Sequence, residues 1–207
     1  MNTLTTKSIH QRLGKWLFNA KEAHKAGISN AMLAYYQAKG LIDKIHHGVY
    51  SIQGFEDVIE DSYQDFRYAD AATHGNGVIG LISALNYYDL TDEIAHYVYV
   101  IIKSSTRFRA SDKYFIVRSE DEKQFVGVDK NEGFKITNLE RTIIDCFRYK
   151  HIVTLDVAEE ALKEAVLSKK IDMKRFMSYA KEFRIKSLAD KAMQKIFYNQ
   201  YIVTAKH

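Results

Sequence analysis

Two hydrophobic periods alternate along this chain, and the places where one gives way to the other mark its organisation. Over residues 8–19, Ile9, Leu13, Trp16 and Leu17 fall on one face at helical spacing and predict a first helix. Asn19 is placed to cap a second short helix, AKEAHKA, which stops at Gly27 in the left-handed manner glycine favours. Ser29 caps a third helix with Met32 or Leu33 and Tyr36 turned inward, Tyr35 a further candidate, and Gly40 at its end. The period then shortens to two. LIDKIH reads as a strand, His47-Gly48 as a turn and VYSI as the returning strand, with Ile42 and Ile45 assigned to the core beside Leu33 and Tyr36. Three helices and a hairpin in about 50 residues predict a winged helix-turn-helix.

Beyond it, Gly54 and the acidic FEDVIED make the best linker candidate, which divides the chain into residues 1–53 and 54–207. A helix is expected over about 61–74, then the glycine-rich GNGVIG, then a helix in LISALNYYD. Strand signals follow at 97–103, 113–118, 124–129 and 133–137, the last two joined as a hairpin across KNE. From there the pattern is helical: 138–149, 154–168, 172–184 and 187 to about 200. Strands cluster and helices cluster, so the fold class is α+β: an N-terminal winged helix-turn-helix followed by a mixed α/β domain with a helical C-terminal part.

Composition fits a globular protein. The 207 residues are 46% apolar, enough for a core, with no stretch of about 18 apolar residues and no leader-like N-terminus, so a cytoplasmic location without a membrane is expected. Cys146 is the single cysteine and sits in the apolar run TIIDCF, where it reads as a small buried hydrophobe. The net charge of +4 conceals a segregation: residues 1–52 carry +5, residues 161–207 carry +7 and the middle carries −8. Basic ends of this kind focus a positive field and point to a polyanionic partner, although solvated helix faces account equally well for the C-terminal charge.

The chemistry-bearing patterns argue against an enzyme. GNGVIG (75–80) matches the dinucleotide fingerprint in letters, but that fingerprint needs a preceding strand, and DFRYADAATH is helical in pattern; the segment reads as a connection between helices. His46 and His47 are adjacent on a strand and so should face opposite ways, and no other histidine pair has ligand spacing, so no metal and no cofactor is expected. A metal-dependent nuclease would need a carboxylate pair followed by E-x-K on a strand, which the acidic middle does not supply. In KITNLERTIIDCFRY, Thr137 and Glu140 have capping-box spacing and Arg141 and Asp145 can pair along one helix. Leu139, Ile143, Ile144 and Phe147 form its buried stripe.

The order of these segments resembles the AbiEi-type antitoxins of type IV toxin–antitoxin systems. The resemblance is carried by AKEAHKAGIS, GLIDKIHHGVYSI, SALNYYDLTDEI, KITNLERTIIDCFRYKHIVTLDVAEEALKEAV and a closing pair of basic helices. It implies a bacterial repressor that binds inverted repeats in double-stranded DNA of its own promoter, two copies to a site. It also implies that this protein counteracts a co-encoded nucleotidyltransferase-like toxin, in a system associated with abortive phage infection, without requiring direct toxin contact. Carried onto this chain, the recognition helix is Ser29 to Lys39, with Asn30 and Tyr35 reaching outward beside Ala31 and Ala34. Lys44, His46 and His47 form the wing tip, and Lys21 and Lys25 hold phosphates. An antitoxin role would fall on Glu140, Arg141 and Asp145. Relatives often carry arginines where this helix has NAMLAYYQ, which predicts fewer guanine contacts and a stronger dependence on salt. Two rival readings remain: a stand-alone regulator whose C-terminal domain senses a ligand or dimerises, and a DNA-targeted nuclease.

Overall fold

In the computed structural model, which describes residues 5–54, 63–109, 111–120, 122–131 and 133–204, with side chains through residue 198, Gly14 ends the first helix earlier than the apolar spacing suggests. Helix α1 spans Thr6–Leu13. Thr5 caps it by accepting from the Ser8 N–H, and Gly14, at φ 68°, returns its N–H to the His10 carbonyl. The next residues leave the helix. Leu17–Asn19 form strand β1, because pairing with residues 49–51 buries Phe18, a residue the helical stripe leaves out.

The two caps expected in this region, Asn19 and Ser29, are where the sequence placed them. Asn19 begins α2 (Ala20–Lys25) in a reciprocal box with Glu22, its side chain accepting from the Glu22 N–H at 3.0 Å while the Glu22 carboxylate accepts from the Asn19 N–H at 2.8 Å. Ser29 begins α3 (Asn30–Ala38) by accepting from the Met32 N–H, and Gly40 follows its end at φ 64°. Strands β2 (Ile42–His46) and β3 (Val49–Ile52) close a three-stranded sheet in the order β1-β3-β2.

A bulge between Lys44 and His46 breaks the β2–β3 register, so Ile45 is only half-buried and lies outside the core to which alternation assigned it. That core is Ile9, Phe18, Ala23, Ile28, Leu33, Tyr36, Ile42 and Ile52, all from this region. Each large side chain fully withdrawn from water contributes about 1.5–3 kcal/mol before entropy is counted.

The expected linker residues 55–61 fall outside the described residues. The rest of the chain is built on a five-stranded mixed sheet in the order β6-β5-β4-β8-β7: β4 (Val78–Ile79), β5 (Val98–Lys103), β6 (Tyr114–Ser119), β7 (Val128–Asn131) and β8 (Phe134–Thr137). β5 and β6 run parallel, as do β4 and β8, while β4–β5 and β7–β8 are antiparallel. Helix α4 (Gln64–Ala72) packs on one face through Ala69 and Ala72, against Val100, Ile102, Phe134 and Ile136, and also touches β1 and β2. The other face is covered by α5 (Leu81–Tyr87), α6 (Leu139–Arg148), α7 (Leu155–Leu167), α8 (Met173–Glu182) and α9 (Lys186–Thr204). The architecture is therefore mixed α+β, with helices and strands at the N-terminus and helices at the C-terminus.

Two segments differ from expectation. GNGVIG does more than connect helices: it holds β4 at the centre of the sheet, and its glycines serve packing. A Cβ on Gly77 would meet Thr73 Oγ1 at 2.6 Å and Val100 Cγ1 at 2.7 Å, and one on Gly80 would meet Ile101 Cδ1 at 2.7 Å. The strand expected at 124–129 starts only at Val128. Gly127 (φ 67°) turns the chain, and the Gln124 side chain is buried, its Nε2 donating to the carbonyls of Ile101 (3.0 Å) and Asn76 (3.2 Å).

Candidate nucleic-acid interface

Helix α3 has a hidden and a displayed face. Leu33 and Tyr36 are buried, which leaves Asn30, Ala31, Ala34, Tyr35 and Ala38 exposed along the opposite side. Tyr35, 52% exposed, leans on the edge of Tyr36 with ring centroids 6.1 Å apart, and the Lys39 ammonium lies 5.8 Å from the Tyr35 ring centroid. The surface is therefore one aromatic with a polar tip, flanked by methyl groups and bounded by a lysine. Asn30, at the helix start, already shares its Oδ1 with His24 Nε2 at 2.9 Å, which ties the displayed end of α3 to α2.

The charges around this helix are arranged by local chemistry. Glu22, one of two acidic residues in the first 52, is held by Lys15 at 2.7 Å. Partial burial pushes its carboxyl up, but the Lys15 contact and the Asn19 N–H outweigh burial and hold it below the usual glutamate value. Asp43, the other acid, accepts from the Gln53 amide. Lys21, Lys25, Lys39 and Lys44 are all exposed and form no ion pair among the described residues. A region whose carboxylates are occupied internally and whose lysines face water suits a polyanion.

The sequence passes over Arg12. Its Nη2 donates to the carbonyls of Ala26 and Gly27 at 3.1 and 3.2 Å, fixing α1 to the turn between α2 and α3. Arginine so close to a glycine stop is the only signal the sequence offers for that contact.

The hairpin tip is where the structure departs most from expectation. Lys44 is exposed, but His46 is not a free tip residue: its ring stacks on Phe108 at 4.8 Å, and its Nε2 donates to the Arg109 carbonyl at 2.9 Å. His47 Nδ1 lies 3.3 Å from Nη1 of Arg109. Strand alternation placed the two histidines on opposite faces. The bulge before His46 and the turn at His47-Gly48 bring both to the same cleft instead. Among the described residues no group of three His, Cys, Asp or Glu could hold a metal ion.

Glu140, Arg141 and Asp145 come together, but inside the protein, at 3%, 1% and 0% exposure. Arg141 Nε donates to Asp145 Oδ2 at 2.9 Å, and Arg148 Nη1 to Oδ1 at 2.6 Å. Both guanidiniums lie over the Phe183 ring, at 3.9 and 4.5 Å from its centroid, and Arg141 Nη1 also donates to the Val126 carbonyl. Burial pushes the Asp145 carboxyl above the usual aspartate value, against the pull of the two arginines. The Thr137/Glu140 box does not form. Asn138 is the cap, accepting from the Arg141 N–H, because Thr137 is buried with its hydroxyl 2.7 Å from that of Thr142. Glu140 reaches away instead, accepting from the Asp172 N–H at 2.8 Å with Arg175 at 3.4 Å. The structure places these three in the interior and not on a surface that another molecule could touch. Cys146 beside them is fully buried, and burial pushes its thiol well up, so it packs as a hydrophobe.

Residues 11–53, which hold the end of α1, the capped α2 and α3 and the whole hairpin, match the family model described as a transcriptional regulator, AbiEi antitoxin. The match makes this N-terminal stretch similar to that family of regulators. No curated protein matches the chain. No helix among the described residues is long and apolar enough to cross a membrane.

Proposed function

We propose that this protein is an AbiEi-type antitoxin whose N-terminal region is a winged helix-turn-helix domain that binds inverted repeats upstream of its own operon. In this reading it represses that operon and opposes a co-encoded nucleotidyltransferase-like toxin in a type IV system acting in phage defence. The observation that carries this reading is the displayed face of α3: one tyrosine and three alanines, capped by Ser29 and flanked by lysines without ion partners among the described residues, within the stretch that matches the regulator family. In a major groove, Ala31, Ala34 and Ala38 would let the backbone approach closely and meet thymine methyl groups, and Tyr35 would supply the polar contact. Lys21, Lys25, Lys39 and Lys44 would hold phosphates and set the register. In the second region Glu140, Arg141 and Asp145 are buried, and in this reading the protein is a cytoplasmic binding protein rather than an enzyme.

The test is fluorescence anisotropy of the full chain on a duplex carrying the inverted repeat from its own upstream region. Wild type should bind with an affinity that falls steeply between 50 and 200 mM salt. Tyr35→Ala should lose about tenfold at all salts, since a good base contact discriminates by about 1–3 kcal/mol. Lys44→Ala should weaken binding and flatten the salt slope by about one. Equal affinity of wild type and both variants would mean that α3 does not read this DNA. The antitoxin half is tested by co-expression with the neighbouring nucleotidyltransferase-like gene: growth restored supports it, and toxicity unrelieved at full expression removes it.

A further inference from the structure

The hairpin turn and the connection between β5 and β6 enclose an open cleft of about 630 Å3 that neither the α3 surface nor the family match explains. On the hairpin side stand His46 and His47. Across from them are Arg107, Arg109 and Arg118, with the hydroxyl-bearing Ser104, Ser105 and Thr106 between, and His74 at the end of α4. Among the described residues no carboxylate lines the cleft.

The geometry of its walls is fixed. Arg118 Nη1 donates to the carbonyls of Ser104 and Thr106, both at 3.0 Å, and so shapes the connection. The His46 ring, stacked on Phe108 and bonded to the Arg109 carbonyl, anchors the hairpin to the same connection. A guanidinium only donates, so in the contact between Arg109 Nη1 and His47 Nδ1 the ring nitrogen is the acceptor. Arg107 is exposed and makes no hydrogen bond or ion pair among the described residues.

Three guanidiniums around one space with no lining carboxylate repel one another, and an anion entering that space relieves the repulsion. Planar guanidinium forks, imidazole N–H groups and hydroxyls together match the oxygens of a phosphate group. We propose that this cleft is a phosphate-binding site formed jointly by the hairpin and the second region, and that it receives a backbone phosphate of the bound DNA beside the hairpin. Its phosphate chemistry stands on the cleft alone, while the DNA source rests on the function proposed above. The consequence is that the second region contributes directly to the DNA interface and fixes the angle of the hairpin against the duplex.

The test uses the full chain and the Arg107→Ala/Arg109→Ala double variant, with Arg107→Gln as a second variant that disturbs no hydrogen bond among the described residues. On the upstream duplex the double variant should bind about tenfold more weakly near physiological salt, with a log–log salt slope shallower by about two. Arg107→Gln should lower the slope by about one. A duplex with methylphosphonates flanking the repeat should lose affinity for wild type and not for the double variant. If wild type binds and the variants match it in affinity and slope, the cleft is not a DNA phosphate site, while the DNA reading stands. If wild type binds no duplex, the DNA reading fails, and a titration with inorganic pyrophosphate followed by the imidazole NMR signals of His46, His47 and His74 decides the rest. Saturable shifts in wild type that vanish in the double variant support a free phosphate ligand, and no shifts overturn the proposal.

Discussion

Helices α3 and α6 have opposite relations between chemistry and burial. α3 (NAMLAYYQA) is almost uncharged and yet displays most of its length, including three alanines and a tyrosine. α6 (LERTIIDCFR) carries four charges, and eight consecutive residues, Glu140 to Phe147, are buried. A charged residue goes inside when its partners go with it: Asp145 has two guanidiniums, Arg141 has a carboxylate, two carbonyls and an aromatic face, and Glu140 has a backbone N–H and Arg175. A small apolar residue goes outside at little cost, and on a surface of small residues another molecule can come close. Polarity therefore marks structure in one helix, and its absence marks a candidate contact surface in the other.

The comparison breaks most sharply at Asp145. Removing it as Asp145→Ala leaves Arg141 and Arg148 facing a hydrophobic interior, and urea denaturation should show a loss of about 3–5 kcal/mol. A loss under about 1 kcal/mol would mean that the α6 network is solvated and the contrast false. The double replacement Arg141→Met/Asp145→Leu should recover much of the loss, because well-packed apolar side chains substitute for a buried pair. On α3 the hidden face should behave as core: Leu33→Ala is expected to cost about 2–4 kcal/mol in the same measurement. The displayed face should be nearly silent, with Tyr35→Ala within about 0.5 kcal/mol of wild type in stability. A larger stability loss for Tyr35→Ala than for Leu33→Ala would show that the two faces of α3 are exchanged.

Legibility followed sequence distance. The caps at Asn19 and Ser29, the stops at Gly27 and Gly40 and the Arg141–Asp145 pair each depend on residues within a turn or so, and each stands where local chemistry puts it. β1 was hidden because its strand character comes from residues 49–51, some thirty positions on, and not from its own periodicity. The cap of α6 fell one residue from the expected Thr137, since the helix takes whichever of two adjacent polar side chains is not already committed, and Thr137 is committed to Thr142. Of the candidate interface, the exposure of Asn30 and the lysines was legible, whereas Tyr35 reads from the sequence both as an inward candidate and as an outward reader, and the structure displays it. The position of His46 was not, because its partners, Phe108 and Arg109, lie about sixty residues away.

By itself the sequence determined the second and third helices and the hairpin of the N-terminal region, the face α3 would hide, the basic character of both chain ends and the pairing inside α6, because backbone capping, periodicity and i,i+4 contacts are local. Only the tertiary structure decided that Glu140, Arg141 and Asp145 are interior, that the glycines of GNGVIG admit a central strand, and that two neighbouring histidines share one arginine-lined cleft with the second region. Those outcomes depend on what lies opposite a side chain once the chain has folded, and packing across the sheet and the hairpin, not sequence neighbours, supplies that environment.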